Sequence, residues 1–229
     1  MTAKRKVCDA ARRANAYYVL ARVLDLPTEW AEDLASSLLT HLGSLTEKLE
    51  IAAPRVATEM VTARDKPEAA AVAYAKLFIG PFEILAPPHA CMYLDPEQRL
   101  MGPVSQEVAR TYAEAGLAPG SRVREVPDHV SHELEFMYWL AFQESVTSDR
   151  VWRTRQEKFW TRHLGLWLPT FADTMMEADV HPYYTALSRL LRAFCEWEEQ
   201  SFVPAADQVA LNDQRSGDGR PANGKRDSV

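Results

Sequence analysis

Apolar residues recur along this chain at intervals of three and four, and almost nowhere at intervals of two. That period belongs to a helix with one buried face, not to a half-buried strand. Ala, Leu, Glu and Arg dominate and β-branched residues are sparse, so propensity agrees with period. The pattern predicts an all-α protein of about eight to ten helices. Residues 7–25 read as the first, with Ala10, Ala14, Tyr17, Tyr18 and Ala21 at helical spacing. Leu26-Pro27-Thr28 breaks it, and Thr28 is a candidate N-cap for a second helix reaching His41. A third covers 45–63, with Pro54 as a candidate break. Pro67 opens a fourth that ends at Gly80-Pro81. Further helices are predicted from Pro103 to Ala115, closed by Gly116, and from Pro127 to Val146. One or two cover 149–177, with Gly165 and Pro169 as breaks. The last spans 181–201 and is opened by His181-Pro182.

Two stretches escape the pattern. Residues 79–103 are rich in Pro and aromatics, which excludes a regular helix, while their apolar content predicts that they pack down. From Pro204 to Val229 no apolar period remains and Asp, Arg, Asn and Gly prevail. The expected organisation is one all-helical domain over 1–203 and a disordered tail over 204–229.

The 229 residues include 47% hydrophobic and 25% charged side chains, with a net charge of −6. An acidic chain lacks the basic field that general nucleic-acid binding needs and favours a cationic partner. Three distant cysteines without a CxxC argue against a disulfide scaffold or zinc knuckle and suit a reducing compartment. No apolar run is long enough for a membrane span. Arg12-Arg13 and the short apolar run behind it resemble an export signal. Arg22 and Asp25 interrupt that run, so it reads as a first helix, and the cytoplasm is the expected location.

The candidate chemistry gathers between Glu125 and Asp149, where six acidic residues occur with no Lys or Arg. On a helix, His129, His132, Glu133 and Phe136 share one face, and beyond Phe136 nearly the whole circumference is apolar. A helix apolar all round is buried, so His129 and Glu133 sit where a buried helix begins. Several readings are open. Asp128 caps the helix and Glu133 and Glu135 complement its dipole, with structural histidines. Alternatively His129, His132 and Glu133 hold a metal in a small hydrolase, although the order His-x-x-His-Glu is not that of a metalloprotease helix. Ser131 and His129 are too close in sequence to face one another, and no Gly-x-Ser-x-Gly elbow or Gly-rich phosphate loop is present. The remaining reading is a docking surface. Glu125, Asp128 and Glu133 would accept Arg or Lys, and aromatics of the 79–103 loop would hold apolar neighbours. This favours a binding protein over an enzyme.

Two elements carry a family resemblance. Tyr74-Ala-Lys-Leu-Phe78 matches an aromatic-x-x-Leu-Phe signature. Glu125-Val-Pro-Asp-His129, continued by Glu133-Leu-Glu-Phe-Met137, matches a Glu-x-Pro-Asp-His signature. Leu94 to Val104 also looks like the family's linker. With both elements, the chain resembles the TorD/DmsD/NarJ family of redox-enzyme maturation chaperones from about Tyr17 to Phe202, closest to the TorD/DmsD branch.

The resemblance implies a cytoplasmic all-helical chaperone. It would bind the twin-arginine signal peptide of a molybdenum-cofactor oxidoreductase subunit and delay Tat export until the cofactor is inserted. A scaffold for the mature subunit alone is the nearest alternative. The resemblance implies no required cofactor, with weak GTP or molybdopterin-cofactor binding proposed in the family, and a monomer or domain-swapped dimer. Carried over residue by residue, the peptide site falls on Tyr74, Leu77 and Phe78 and on Glu125, Pro127, Asp128 and His129. Glu133, Phe82 and Tyr93 join it from the charge and loop readings, and Leu85 is a further apolar candidate. In this reading Asp128 and Glu125 meet the arginines and Pro127 presents them. For Tyr74, Leu77 and Phe78 the spacing equally fits core packing.

Overall fold

The computed structural model describes residues 3–80, 83–117 and 126–202, with side chains from Asp9 onward. Every regular element among the described residues is helical. Helix α1 (Ala3–Val23) lies along α7 (Val130–Thr147), and this is the principal packing of the fold. Tyr17, Leu20 and Ala21 of α1 and Leu134, Met137 and Leu140 of α7 are fully buried. Helices α2 (Leu34–His41) and α3 (Glu47–Asp65) follow. The long α10 (Pro182–Phe202) packs against both α3 and α9 (Gly165–Ala178), while α8 (Arg150–Phe159) folds back on α7. Large rings fill the centre: Trp167, Tyr17, Tyr183, Tyr184, Phe171 and Phe194 are all fully buried. Burial of one large apolar side chain stabilises by roughly 1.5–3 kcal/mol, so this aromatic centre dominates the packing energy.

Several boundaries differ from those expected. Thr28 caps no α-helix: Pro27–Glu29 is a single 3-10 turn and α2 begins only at Leu34. The Trp30 indole N–H donates to the Asp25 carbonyl at 3.1 Å, which holds the chain in an extended turn there. Pro54 lies inside α3 without breaking it. Helix α4 (Pro67–Tyr74) runs on into a π turn, Ala75–Ile79, closed by Gly80 at φ 88°. That left-handed position is one glycine adopts without strain. The 79–103 stretch contains one short helix, α5 (Cys91–Leu94), before α6 (Pro103–Glu114).

Neither Gly165 nor Pro169 ends the path from α8 to α9. A π turn at Trp160–Leu164 joins them. A Cβ at Gly165 would stand 2.8 Å from the Trp160 carbonyl oxygen and 2.9 Å from its ring. The glycine is there to admit the indole. The tail from 204 lies outside the described residues.

The arginine pair of α1 is divided between solvent and core. Arg13 is buried, and its Nε donates to both Glu198 oxygens at 2.9 and 3.1 Å. Tyr17 donates to the same carboxylate at 2.9 Å, and the guanidinium lies over the rings of Trp197 and Phe202. Arg12 stays outside and reaches the Ser44 carbonyl at 2.7 Å.

Candidate functional site

The aromatic-x-x-Leu-Phe element occupies the end of α4 and its π turn. The wider turn lets two sequence neighbours, Leu77 and Phe78, both turn inward. Phe78 packs on Tyr184 at 5.6 Å and on Phe171 at 6.0 Å. Tyr74 stays half-buried, edge-on to Phe78 at 5.0 Å. Leu77 and Phe78 therefore belong to the core, and Tyr74 is the member of the element that reaches the surface.

The second element is joined to the first by the stretch 85–90. Leu85 and Ala86 donate to the carbonyls of Lys76 and Leu77 at 3.2 and 2.8 Å. At the other end His89 bridges His129. Ala90 donates to the Asp128 carbonyl at 2.9 Å, and Val130 donates to the Pro88 carbonyl at 2.9 Å. One piece of backbone thus carries both elements.

Asp128 is fully buried. One carboxylate oxygen accepts the Cys91 N–H at 2.9 Å and the other the Ser105 hydroxyl at 2.7 Å. The surrounding backbone is tied as well: Tyr112 Oη donates to the Pro127 carbonyl at 3.0 Å, and His132 Nδ1 lies 3.2 Å from the Val126 carbonyl. The predicted cap moves by one residue: His129, not Asp128, caps α7, its Nδ1 accepting the Ser131 N–H at 3.2 Å. That contact requires Nδ1 to be unprotonated.

The imidazoles of His89 and His132 pack on His129, with ring centroids 5.1 and 5.4 Å away. Burial, then the two neighbouring imidazoles, push His129 down to about 3. Burial likewise lowers His89. Burial and the Asp128 carboxylate push the Cys91 thiol up to about 12, far from a reactive thiolate.

Glu133, also fully buried, faces a different set of partners. His163 Nε2 lies 2.7 Å from one oxygen and the Trp167 indole N–H donates to the other at 3.0 Å. The π turn between α8 and α9 is what brings His163 and Trp167 to it. Burial alone would lower His163, but the adjacent Glu133 carboxylate outweighs that and raises it. His129, His132 and Glu133 therefore do not converge as metal ligands. Among the described residues no group of three His, Cys, Asp or Glu side chains is placed to hold a metal ion.

Of the remaining expected residues, Pro127 is half-buried, and Tyr93 is half-buried and stacked on Trp167 at 5.5 Å. Glu125 and Phe82 lie outside the described residues. The direct pairing of Asp128 with a partner's arginine, expected from sequence, meets a carboxylate turned inward with both oxygens engaged. Glu133 is in the same position.

Sequence reasoning also missed two acids. Asp25 and Glu29, at the turn after α1, lie close enough to Tyr74 to add to the effect of burial in raising its hydroxyl, and His132 acts on Asp25. Asp25 is half-buried and paired with Arg22 at 3.2 Å, and Glu29 is exposed. Their only signal in the sequence was proximity to Leu26-Pro27. Ser105, His163 and Trp167 carried no signal, because only the tertiary fold brings them to the site.

Fold and site together define an all-helical protein whose two signature elements are bound to one internal stretch of backbone. The chain belongs to the nitrate reductase delta subunit family, whose sequence profile matches residues 31–173. This is the NarJ/TorD family that the two elements indicated.

Among its relatives is the Tat proofreading chaperone DmsD of Salmonella typhi. It is 31% identical over 135 residues, covering 58% of this chain and 63% of that protein. The chaperone protein TorD of Escherichia coli (strain K12 / DH10B) is 30% identical over 169 residues, covering 72% of this chain and 79% of that protein. TorD of Photobacterium profundum is 29% identical over 197 residues, 81% of this chain and 91% of its own length. A crystal structure of a candidate redox enzyme maturation protein from Archaeoglobus fulgidus shares the fold. Its TM-score is 0.50 at 24% identity, over 80% of this chain and 93% of that one.

Proposed function

We propose that this protein is a cytoplasmic chaperone that binds the twin-arginine signal peptide of a molybdenum-cofactor oxidoreductase subunit. Binding would hold the subunit back from Tat export until its cofactor is inserted. The relatives named as Tat proofreading and TorD chaperones support the class. The observation that carries the site is the shared stretch 85–90, which hydrogen-bonds the Tyr74–Phe78 element at one end and Asp128–Val130 at the other. A peptide lying along that stretch would meet both elements.

The site residues divide into two roles in this proposal. Tyr74, Tyr93, Pro127 and His129, with Phe82 and Glu125, touch the peptide. Asp128, Glu133, Leu77 and Phe78 hold the surface that presents them. Asp25 and Glu29 join Glu125 as acceptors for the two guanidinium groups, since partly solvated carboxylates can form bidentate pairs without displacing buried partners. The apolar part of the leader would lie over Tyr74 and the exposed Ile79 and Ile84.

Isothermal titration with a twin-arginine leader peptide tests the reading. Micromolar or tighter affinity is expected, weakened at least tenfold when Arg-Arg becomes Lys-Lys. Asp25→Asn with Glu29→Gln should weaken it similarly, and Asp128→Ala with His129→Ala should do so by loosening the presented surface. Binding to the folded mature subunit with none to the leader would replace this reading by that of an assembly scaffold.

A further inference from the structure

A guanidinium of the chain's own already stands at the acidic rim where the leader's arginines would enter. Arg22 projects from the last turn of α1 toward carboxylates on two different elements. Its Nη2 donates to Glu135 of α7, and its Nη1 forms an ion pair at 3.2 Å with Asp25, in the turn after α1. The ring of Tyr18, one helical turn back, lies with its centroid 6.0 Å from the guanidinium carbon.

This seat is a divided one. A guanidinium holds a carboxylate best through a fork of two parallel N–H bonds, and here the fork is split between two acids. The third nitrogen, Nε, is buried and has no hydrogen-bond partner among the described residues. Burial acts most strongly on Asp25 and raises it; Arg22 comes next and lowers it, ahead of Glu29 and His132. Arg22 is thus the main cation at the carboxylate that faces Tyr74. None of the three side chains is deep: Arg22 is 34% exposed, Asp25 25% and Glu135 44%. Partly solvated pairs of this kind contribute little and exchange partners readily.

We propose, on the leader reading of this site, that Arg22 is a resident competitor through which the site selects arginine over lysine. A leader guanidinium takes both oxygens of Asp25 as a fork, where Arg22 makes only an ion pair. Arg22 then withdraws onto Glu135 alone, closes the same fork there with Nε and Nη2, and so satisfies its buried Nε. Both carboxylates keep a cation through the exchange. A lysine ammonium is a point charge without a fork. It brings Asp25 nothing that Arg22 does not already supply, and Arg22 stays. Glu135 is accordingly the residue that receives Arg22, not one that touches the leader. A plain tie between α1 and α7 would give no such selectivity.

The test is isothermal titration of the full chain with an Arg-Arg leader peptide and its Lys-Lys counterpart. In Arg22→Gln the preference for Arg-Arg should fall from about tenfold to about threefold, chiefly because the Lys-Lys leader binds more tightly. Arg22→Lys keeps the charge and the long side chain but not the fork, and should lower the preference as well, which covers the case in which Arg22→Gln does not fold. Glu135→Gln should weaken the Arg-Arg leader several-fold in the native background and leave it unchanged in the Arg22→Gln background, since it acts through Arg22. A preference that stays the same in the Arg22 variants, whether both leaders gain or both lose, would reduce Arg22 to net charge or to framework and overturn the proposal. A Glu135→Gln loss that persists without Arg22 would overturn it too. If the native chain and every variant bind neither leader, the chaperone reading falls and this proposal with it, an outcome distinct from binding with unaltered preference.

Discussion

The Asp128 carboxylate and the Cys91 N–H are 37 residues apart in the chain and 2.9 Å apart in space. This bond, with that from Ser105 at 2.7 Å, closes the loop before α5 onto the start of α7. Both donors meet a fully buried acceptor. Asp128→Ala would leave two buried donors without partners, at about 1–3 kcal/mol each. The expected loss is about 2–5 kcal/mol, seen as a lower urea midpoint. Asp128→Asn keeps one acceptor oxygen and should cost less, and Ser105→Ala less again. Equal losses for all three would mean that the carboxylate does not act as a joint.

The pair of Glu133 and His163 makes stability depend on pH in a stated direction. Burial raises Glu133 and the carboxylate raises His163. The folded pair therefore holds a proton more tightly than the unfolded chain. Its contribution is fully present below the ordinary imidazole pKa of about 6.5 and is lost as pH rises through the raised value. Urea unfolding of the native chain and His163→Gln should show a difference that shrinks from about pH 6 to about pH 9. A difference that grows over that range would contradict the ion pair.

His129 works in the opposite sense. It is held at about 3 when folded but titrates near 6.5 when unfolded. Its neutral form favours folding above 6.5, and that advantage is lost as pH falls from there toward 3. His129→Asn retains a side chain suited to capping α7 and removes the titration. Stability at neutral pH should change by no more than about 1 kcal/mol, and the loss on acidification to about pH 5 should be smaller than in the native chain. Unaltered acid sensitivity would assign that sensitivity elsewhere, His89 being the next candidate.

Midway along α1, Arg13 and Glu198 form a buried pair that also receives Tyr17. Glu198→Ala strands a guanidinium between aromatic rings and should cost about 3–5 kcal/mol. Replacing both partners, Arg13→Met with Glu198→Leu, should cost less than the single change, because no unpaired charge remains buried. Thermal unfolding of the native chain, Glu198→Ala and the double variant checks the order. A double variant less stable than Glu198→Ala would show the pair to be worth more than its desolvation.

Period and propensity determined the helical class of this protein, the placement of most of its helices and the position of both signature elements. These are local properties, set by a residue and its neighbours three and four positions away. Pro54, Gly165 and Pro169 show where local rules mislead: each reads as a break, and each is carried through because tertiary packing outweighs a single unfavourable residue. The acids show the same limit more sharply. From Glu125 to Asp149 the chain presents a run of negative charge, which in sequence reads as a surface for arginine. Only the tertiary structure decided that Asp128 and Glu133 face inward, because their donors come from Cys91, Ser105, His163 and Trp167, at separations no helical period encodes. The same long-range assembly decided that Asp25 and Glu29 lie near Tyr74. A buried carboxylate persists only where donors converge on it, and convergence of distant segments is a property of the fold.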